Sequence, residues 1–496
     1  MRRGKNSEWK RKGIAIILTA LMLTIVVPMV GLAIDAGMMF AIRAKMQAAA
    51  DAASMASARA LAKGLTIEEQ EASAMARAEA YFDANFPPGA MYTGASRSIE
   101  VEIDETAYRT RRVLTRINIS PPSYFMRYFV GGGYGSAPPL NVKVVGQTSR
   151  RDVNVMLVVD RSGSLQTAGA CDDVEIATLK FVDQFANQRD ALGLLTFGGS
   201  YRVDFAMSQN FLDSTTGIKT ALSKLYPGGC NDWTGSAQAY WQGYQQLLAR
   251  NEPGVLNVLL FFTDGQPNTL TAEWPVKTIL ADGYKSRCFD WANNKYYYDT
   301  GWNPVNQKYR GYIAGDGSRD GVRGHLANPI PTGDPGKISL PVGYETQTPK
   351  SVSNDCYFRN SGSQVDRDIA YYPDEDFYGN SVYGHKSIST FSVGHPYAGK
   401  VKITSLTTQK NAAINAVADA ALRVRANLDY KVVTYALGLG GVGAAEHDLL
   451  LRVSNDKDSP AYDSTALEGL YVYAPDPSQL NDAFVKIASE ILRYNK

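Results

Sequence analysis

Hydrophobic positions change their spacing twice along the first third of the chain, and each spacing predicts a different element. From Gly13 to Ile34 the run is unbroken: GIAIILTALMLTIVVPMVGLAI contains no charged residue. As a helix these 22 residues measure about 33 Å, enough to cross a bilayer. After Asp35 the apolar residues return at helical spacing, with Met39, Ile42, Met46, Ala49 and Ala53 on one face and Arg43, Lys45, Gln47 and Asp51 between them. One helix from about Gly13 to Lys63, stopped by Gly64, is expected. Thr66-Ile67-Glu68-Glu69 fits a capping box that opens a second helix, and Pro87-Pro88-Gly89 closes it. Over residues 97–149 the period falls to two. SIEVEID, RVLTRINIS and LNVKVVGQT read as strands of a small β-rich module.

From Asp152 onward the strands become almost wholly apolar and alternate with helical segments. VNVMLVV, LGLLTF, VLNVLLFF and KVVTYALGL are the strands, with YRVDF a shorter one. Helices are expected over Asp172–Asn187, at about 211–224, 235–249 and 409–427, and from Asp476 to Tyr494. This is the pattern of an α/β fold, a doubly wound, Rossmann-like, mostly parallel sheet covered on both faces. Residues 270–400 break it: they are rich in Tyr, Gly, Asn, Asp and Pro without sustained periodicity. A structureless loop of that length is improbable inside a domain, so a folded insertion is expected there.

The chemistry lies where the apolar strands end. VNVMLVV gives way to Asp160-Arg161-Ser162-Gly163-Ser164, and VLNVLLFF to Thr263-Asp264-Gly265. In doubly wound sheets, ligands bind beyond the carboxyl ends of the strands. Thr234, in a loop that opens a helix between them, adds a further hydroxyl. Alone, Asp160 would read as a helix cap; three such elements in order point to an ion site. Two carboxylates and three hydroxyls, with no imidazole or thiolate, suit Mg²⁺, Mn²⁺ or Ca²⁺ rather than zinc. So few charged ligands leave the ion able to attract an acidic group on a partner.

Charge and histidine content exclude other classes. Lys and Arg number 51 against 49 Asp and Glu, a net charge of +2, which gives no global basic field for nucleic acid. His325, His385, His395 and His447 show neither H-x-x-x-H nor H-E-x-x-H spacing, and no glycine-rich phosphate loop follows a strand, so an enzyme is not expected. The first twelve residues hold six Lys or Arg and one Glu. By the positive-inside rule that end stays in the cytoplasm and the body is exported. A cleaved signal peptide is the alternative to an uncleaved anchor. Leu18 stands where prepilins carry glutamate, so prepilin-type processing is not expected.

Asp-x-Ser-x-Ser after one apolar strand, a later loop threonine, and Thr-Asp-Gly after another strand resemble a von Willebrand factor type A domain, over about 152–268 and 405–496. The resemblance implies a metal-ion-dependent adhesion site in which Asp160, Ser162, Ser164, Thr234 and Asp264 hold the ion directly or through water. The family reads Gly-Gly-Thr where this chain has Gly228-Gly229-Cys230-Asn231-Asp232-Trp233-Thr234, so Asn231 and Asp232 are alternatives to Thr234. Cys171 follows the first of these loops and Cys230 lies in the second. The implied site therefore pairs them and leaves Cys288 with Cys356 inside the insertion, in a compartment that permits disulfides.

The N-terminus is similar to TadE/TadG-like pilus-assembly proteins in its basic start, its apolar span, Gly31-Leu32-Ala33-Ile34-Asp35, Gln47-Ala48-Ala49-Ala50-Asp51-Ala52-Ala53 and Ser123-Tyr124-Phe125-Met126-Arg127-Tyr128-Phe129. The expected order is a cytoplasmic tail (1–12), a transmembrane anchor (13–35), a helical stalk (36–96), the β-rich module (97–150) and the type A domain (151–496), with the insertion at about 270–400. The resemblance implies a bacterial envelope protein of the Tad/Flp pilus system. It would sit in the inner membrane with its body periplasmic or surface-exposed, and bind a protein or surface ligand with an acidic group, or pilus components. The alternative is a structural, minor pilin-like component whose type A domain is a scaffold.

Overall fold

An alanine-rich helix can approach a sheet closely, and the N-terminal unit is built on that property. The computed structural model describes residues 6–92, 97–121, 123–125, 141–199, 201–225, 230, 233–275, 288–290, 295–297, 302–303, 308–315, 322–325, 371–402, 406–440 and 446–494. The chain divides into two units, residues 1–150 and 151–495. In the first, α1 (Asn6–Ala60) runs unbroken through Pro28. The Thr66 hydroxyl caps α2 (Ile67–Asn85) by accepting the Glu69 N–H at 3.3 Å. Glu69 reaches back to the N–H of Leu65 at 2.8 Å, one residue before the cap, so the capping box is closed one position early.

Strands β1 (Arg97–Ala107) and β2 (Thr110–Ile119) form an antiparallel hairpin, and β3 (Val142–Arg151) completes the order β1-β2-β3. The apolar stripe of α1 supplies Ile42, Met46, Ala49, Ala50 and Ala53 to a core shared with Phe82 and Phe86 and with Ile117, Ile119, Val142 and Val144. The segment after Asp35 is therefore a packing helix. At Gly146 a β-carbon would lie 2.1 Å from the Ala50 carbonyl oxygen, so strand and helix meet backbone to backbone. Gly146→Ala should push them apart and cost about 1–3 kcal/mol. The thermal transition of the first unit in the detergent-solubilised chain should fall, with divalent-ion binding by the second unit unchanged.

The second unit is a six-stranded sheet in the order β15-β14-β7-β4-β5-β6, made by β4 (Val153–Asp160), β5 (Ala191–Phe197), β6 (Tyr201–Ser208), β7 (Leu256–Thr263), β14 (Val432–Leu439) and β15 (Leu470–Ala474). Every neighbouring pair is parallel except β5 with β6. This is the expected doubly wound, mostly parallel α/β sheet. Every residue of β4 is buried because alternate side chains feed two cores. Val155, Leu157 and Val159 meet the face covered by α4 (Cys171–Val182) and α9 (Leu480–Tyr494), through Phe181 and Phe484. Met156 and Val158 meet the face covered by α6 (Ser236–Arg250), α7 (Leu406–Arg425) and α8 (His447–Ser454). The helix expected from about 211 begins later, as α5 (Ile218–Leu225). Asp213 explains the delay: its carboxylate accepts the N–H and hydroxyl of both Thr215 and Thr216, a local turn that competes with helix.

The insertion starts as β-structure. Strand β8 (Thr269–Pro275) pairs antiparallel with β12 (Lys308–Gly315), which also carries β11 (Trp302–Asn303) and β13 (Val322–His325). Strands β9 (Cys288–Asp290) and β10 (Lys295–Tyr297) form a separate pair. Residues 371–402 lie against α7, where Asn415 donates to the carbonyls of Val382 and Lys386. Trp274 of β8 is fully buried against Tyr372, ring centroids 5.3 Å apart, so both ends of the insertion enter the domain core.

Candidate metal centre

The two carboxylates are delivered by neighbouring parallel strands. Strands β4 and β7 pair in register up to Val159–Phe262, so Asp160 and Thr263 end side by side and Asp264 follows at the same sheet edge. Helix α3 (Gly163–Thr167) begins at once and turns Ser162 and Ser164 back over that edge. Their hydroxyls lie 2.9 Å apart and both reach Asp264 Oδ1, at 3.2 Å from Ser162 and 2.8 Å from Ser164. Asp160 Oδ1 accepts the Ser162 N–H at 2.7 Å. Its Oδ2 accepts the Thr263 hydroxyl at 2.5 Å. Four of the five expected ligands, Asp160, Ser162, Ser164 and Asp264, are thus joined by direct hydrogen bonds.

Thr234 stands beside them. Its N–H donates to Asn268 Oδ1 at 2.8 Å and its carbonyl accepts the N–H groups of Asn268 and Thr269. The next residue, Gly235, donates to the carbonyl of Gly198 just beyond β5, which ties this loop to the sheet edge. A β-carbon on Gly265 would lie 3.4 Å from Ser164 Oγ and 4.0 Å from Thr234 Oγ1. Gly265 therefore opens onto space bordered by both hydroxyls. The alternatives Asn231 and Asp232 lie outside the described residues.

Burial sets the electrostatics. Asp160 is fully buried and Asp264 nearly so. Desolvation is the largest influence on Asp160, followed by the charge of Asp264; together they raise its pKa to about 8, against the hydrogen bonds from Thr263 and Ser162. Desolvation also raises Asp264, to about 6, against the hydroxyls of Ser164 and Ser162. Two carboxyls held above their ordinary range, surrounded by neutral oxygens around shared space, fit a hard divalent cation, which would favour their ionised forms. Among the described residues no group of three or more His, Cys, Asp or Glu is placed to hold a metal.

Residues 154–296 match the von Willebrand factor type A domain, and residues 13–60 match the putative Flp pilus-assembly TadE/G-like family. The chain joins a TadE/G-like segment to a type A domain. Among solved structures it is similar to the PilB minor pilin from Streptococcus sanguinis, at 13% identity over 81% of this chain and 79% of that one, with a TM-score of 0.36. A von Willebrand factor type A protein from Catenulispora acidiphila is 10% identical over 80% of this chain and 50% of the other, with a TM-score of 0.33. The vWF domain of the type V pili tip protein Mfa5 from Porphyromonas gingivalis is 16% identical over 70% and 97%, with a TM-score of 0.31. No curated protein matches the chain.

In the type A domain Cys171 and Cys230 form the expected disulfide, with α-carbons 6.0 Å apart. It joins the start of α4, just after the Ser162 and Ser164 loop, to the chain four residues before Thr234. The expected Cys288–Cys356 bond lies outside the described residues. Sequence reasoning missed Thr263 and Asn268, which hold Asp160 and Thr234. It also missed Gln266, which donates to Glu446 at 2.9 Å; Glu446 in turn pairs with Lys386 of the insertion. Thr263 had a signal, being next to Asp264 at a strand end. Glu446 had none, because 180 residues separate it from Gln266.

Proposed function

We propose that this is a membrane-anchored bacterial envelope protein of the Tad/Flp pilus system that binds a protein or surface ligand through a metal-ion-dependent adhesion site. The observation that carries the reading is the convergence of Asp160, Ser162, Ser164 and Asp264 at one buried sheet edge, with Thr234 beside them. Asp160 and Asp264 would supply the charge and the three hydroxyls neutral oxygens. Bound there, Mg²⁺ or Mn²⁺ would supply a positive charge these ligands do not cancel, which a partner's carboxylate can meet. The chain's own part is to hold the oxygens together and exclude water beneath them. A helix long and apolar enough to cross a membrane lies near the N-terminus. The basic flank before it supports a topology with the tail in the cytoplasm, the helix in the bacterial inner membrane and the body outside. This role is binding rather than catalysis.

Protons compete with the ion in this reading. Calorimetric titration of the detergent-solubilised chain with Mg²⁺ and Mn²⁺ should show affinity rising with pH. Between pH 6 and pH 8, the values to which Asp264 and Asp160 are raised, about one proton is displaced per ion and affinity should climb about tenfold per unit. Absence of binding at pH 8, or binding indifferent to pH, would remove the metal from the proposal.

A further inference from the structure

The span of α1 ends at a carboxylate that is not offered to solvent. Between Gly13 and Ile42 Asp35 is the sole charged residue. Its exposure is 2%, whereas Ile34 just before it is 44% exposed. The Asp35 carboxylate accepts the N–H of Tyr124 at 3.0 Å and that of Phe125 at 3.0 and 3.1 Å. These two residues belong to the short segment that follows β2. The Tyr124 hydroxyl in turn donates to the Met91 carbonyl at 3.0 Å, which holds the segment from its other side. Gly31, one turn deeper in the apolar run, is buried as well. Yet Phe125 is 42% exposed and Phe40 is 77% exposed.

Height along the helix then fixes where that segment lies. Lys10, Arg11 and Lys12 hold the near end of the run at one headgroup layer. Counting about 1.5 Å per residue from Gly13, Asp35 stands about 33 Å away, at the far edge of a hydrocarbon core about 30 Å thick. Whatever accepts hydrogen bonds from Tyr124 and Phe125 at that level carries them to the same level. A carboxylate there is costly unless protein groups satisfy it, and two backbone N–H groups do so. Phe40 lies less than two turns further on, about 7 Å beyond Asp35 and so at the outer limit of the headgroup layer. An exposed Phe ring at that depth leaves water by turning into the lipid.

We propose that residues 123–125, latched by Asp35, form a membrane-interface collar. In it the folded part of the first unit rests in the outer headgroup layer, with Phe125 and Phe40 inserted among the lipids. The inference rests on the reading of α1 as a membrane span. Asp35 is then a positioning residue that sets the depth of the unit, in place of a free stalk beginning at the bilayer.

The test uses the full chain reconstituted in phosphatidylcholine–phosphatidylglycerol vesicles. Tryptophan emission added by Phe125→Trp or by Phe40→Trp, relative to the wild type, should be lost with lipids brominated near the carbonyl end of the acyl chain and spared by aqueous iodide. Asp35→Asn weakens the acceptor while keeping its shape. Hydrogen exchange of the peptide covering Tyr124 and Phe125 should become about tenfold faster, the loss of a charge-assisted bond. The lipid quenching of Phe125→Trp should fall in that background while the protein still resists carbonate extraction. Release by carbonate would overturn the anchor and the collar with it. Retention in the membrane with Phe125→Trp quenched by iodide, or by neither agent, would overturn the collar alone. Unchanged exchange in Asp35→Asn would overturn the latch.

Discussion

Asp160→Ala should abolish Mg²⁺ and Mn²⁺ binding while leaving the sheet intact. The carboxylate is fully buried and, together with Asp264, supplies the charge of the candidate site, so removing it takes away the ligand on which an ion there most depends. The effect on metal-free stability depends on pH. A carboxyl raised to about 8 binds its proton more tightly in the folded than in the unfolded chain. Its stabilising contribution is fully present below the ordinary carboxylate range, about pH 4, and is lost progressively as pH rises through about 8. Near neutrality the acid is mostly protonated, and the substitution leaves the Ser162 N–H and Thr263 hydroxyl without their acceptor, costing about 1–3 kcal/mol. Above pH 8 the wild type buries a charge that the variant lacks, so the gap should close. Calorimetry across this range, with circular dichroism as the check on fold, reads both effects. Equal metal binding by variant and wild type would dismiss Asp160 as a ligand. In cells, loss of attachment with pili intact would match the adhesion-site role; loss of pili would favour the scaffold.

Removing the Cys171–Cys230 bond should strongly destabilise the type A domain. The bond spans 59 residues, and the loop-entropy relation gives about 4 kcal/mol for closing a loop of that length. Domains commonly have about 5–15 kcal/mol in total, so the loss is a large share. Alanine is the better replacement at Cys230, which is fully buried in an apolar cluster where a serine hydroxyl would lack a partner. The double variant should melt well below the wild type in denaturant titrations and bind Mn²⁺ more weakly. The bond joins the chain after Ser162 and Ser164 to the chain leading to Thr234, so its loss frees two candidate ligand loops at once. Lower stability with unchanged Mn²⁺ affinity would show that the bond supports the fold but not the arrangement of the site.

What the sequence determined by itself was local in character. Alternation marked β1 and β2, and almost wholly apolar runs marked β4 and β7, because side-chain period follows directly from backbone geometry. The polar residues that end those runs, Asp160 and Asp264, could be assigned to one sheet edge, since ligands of doubly wound folds gather beyond the carboxyl ends of strands. The length of the uncharged run and the flanking basic residues were equally readable, being sums over neighbours. The tertiary structure alone decided which distant groups meet. It set the Thr263 hydroxyl on Asp160, both serine hydroxyls on one oxygen of Asp264, and Glu446 on Gln266. It also decided the charge state of the site, because a carboxyl's pKa depends on how much water the surrounding chain removes. It placed Gly146 against Ala50 and turned Asp35 away from solvent toward Tyr124 and Phe125. Periodicity says which face of an element is buried; what that face is buried against depends on segments as much as 194 residues away, as where Tyr240 meets Thr434.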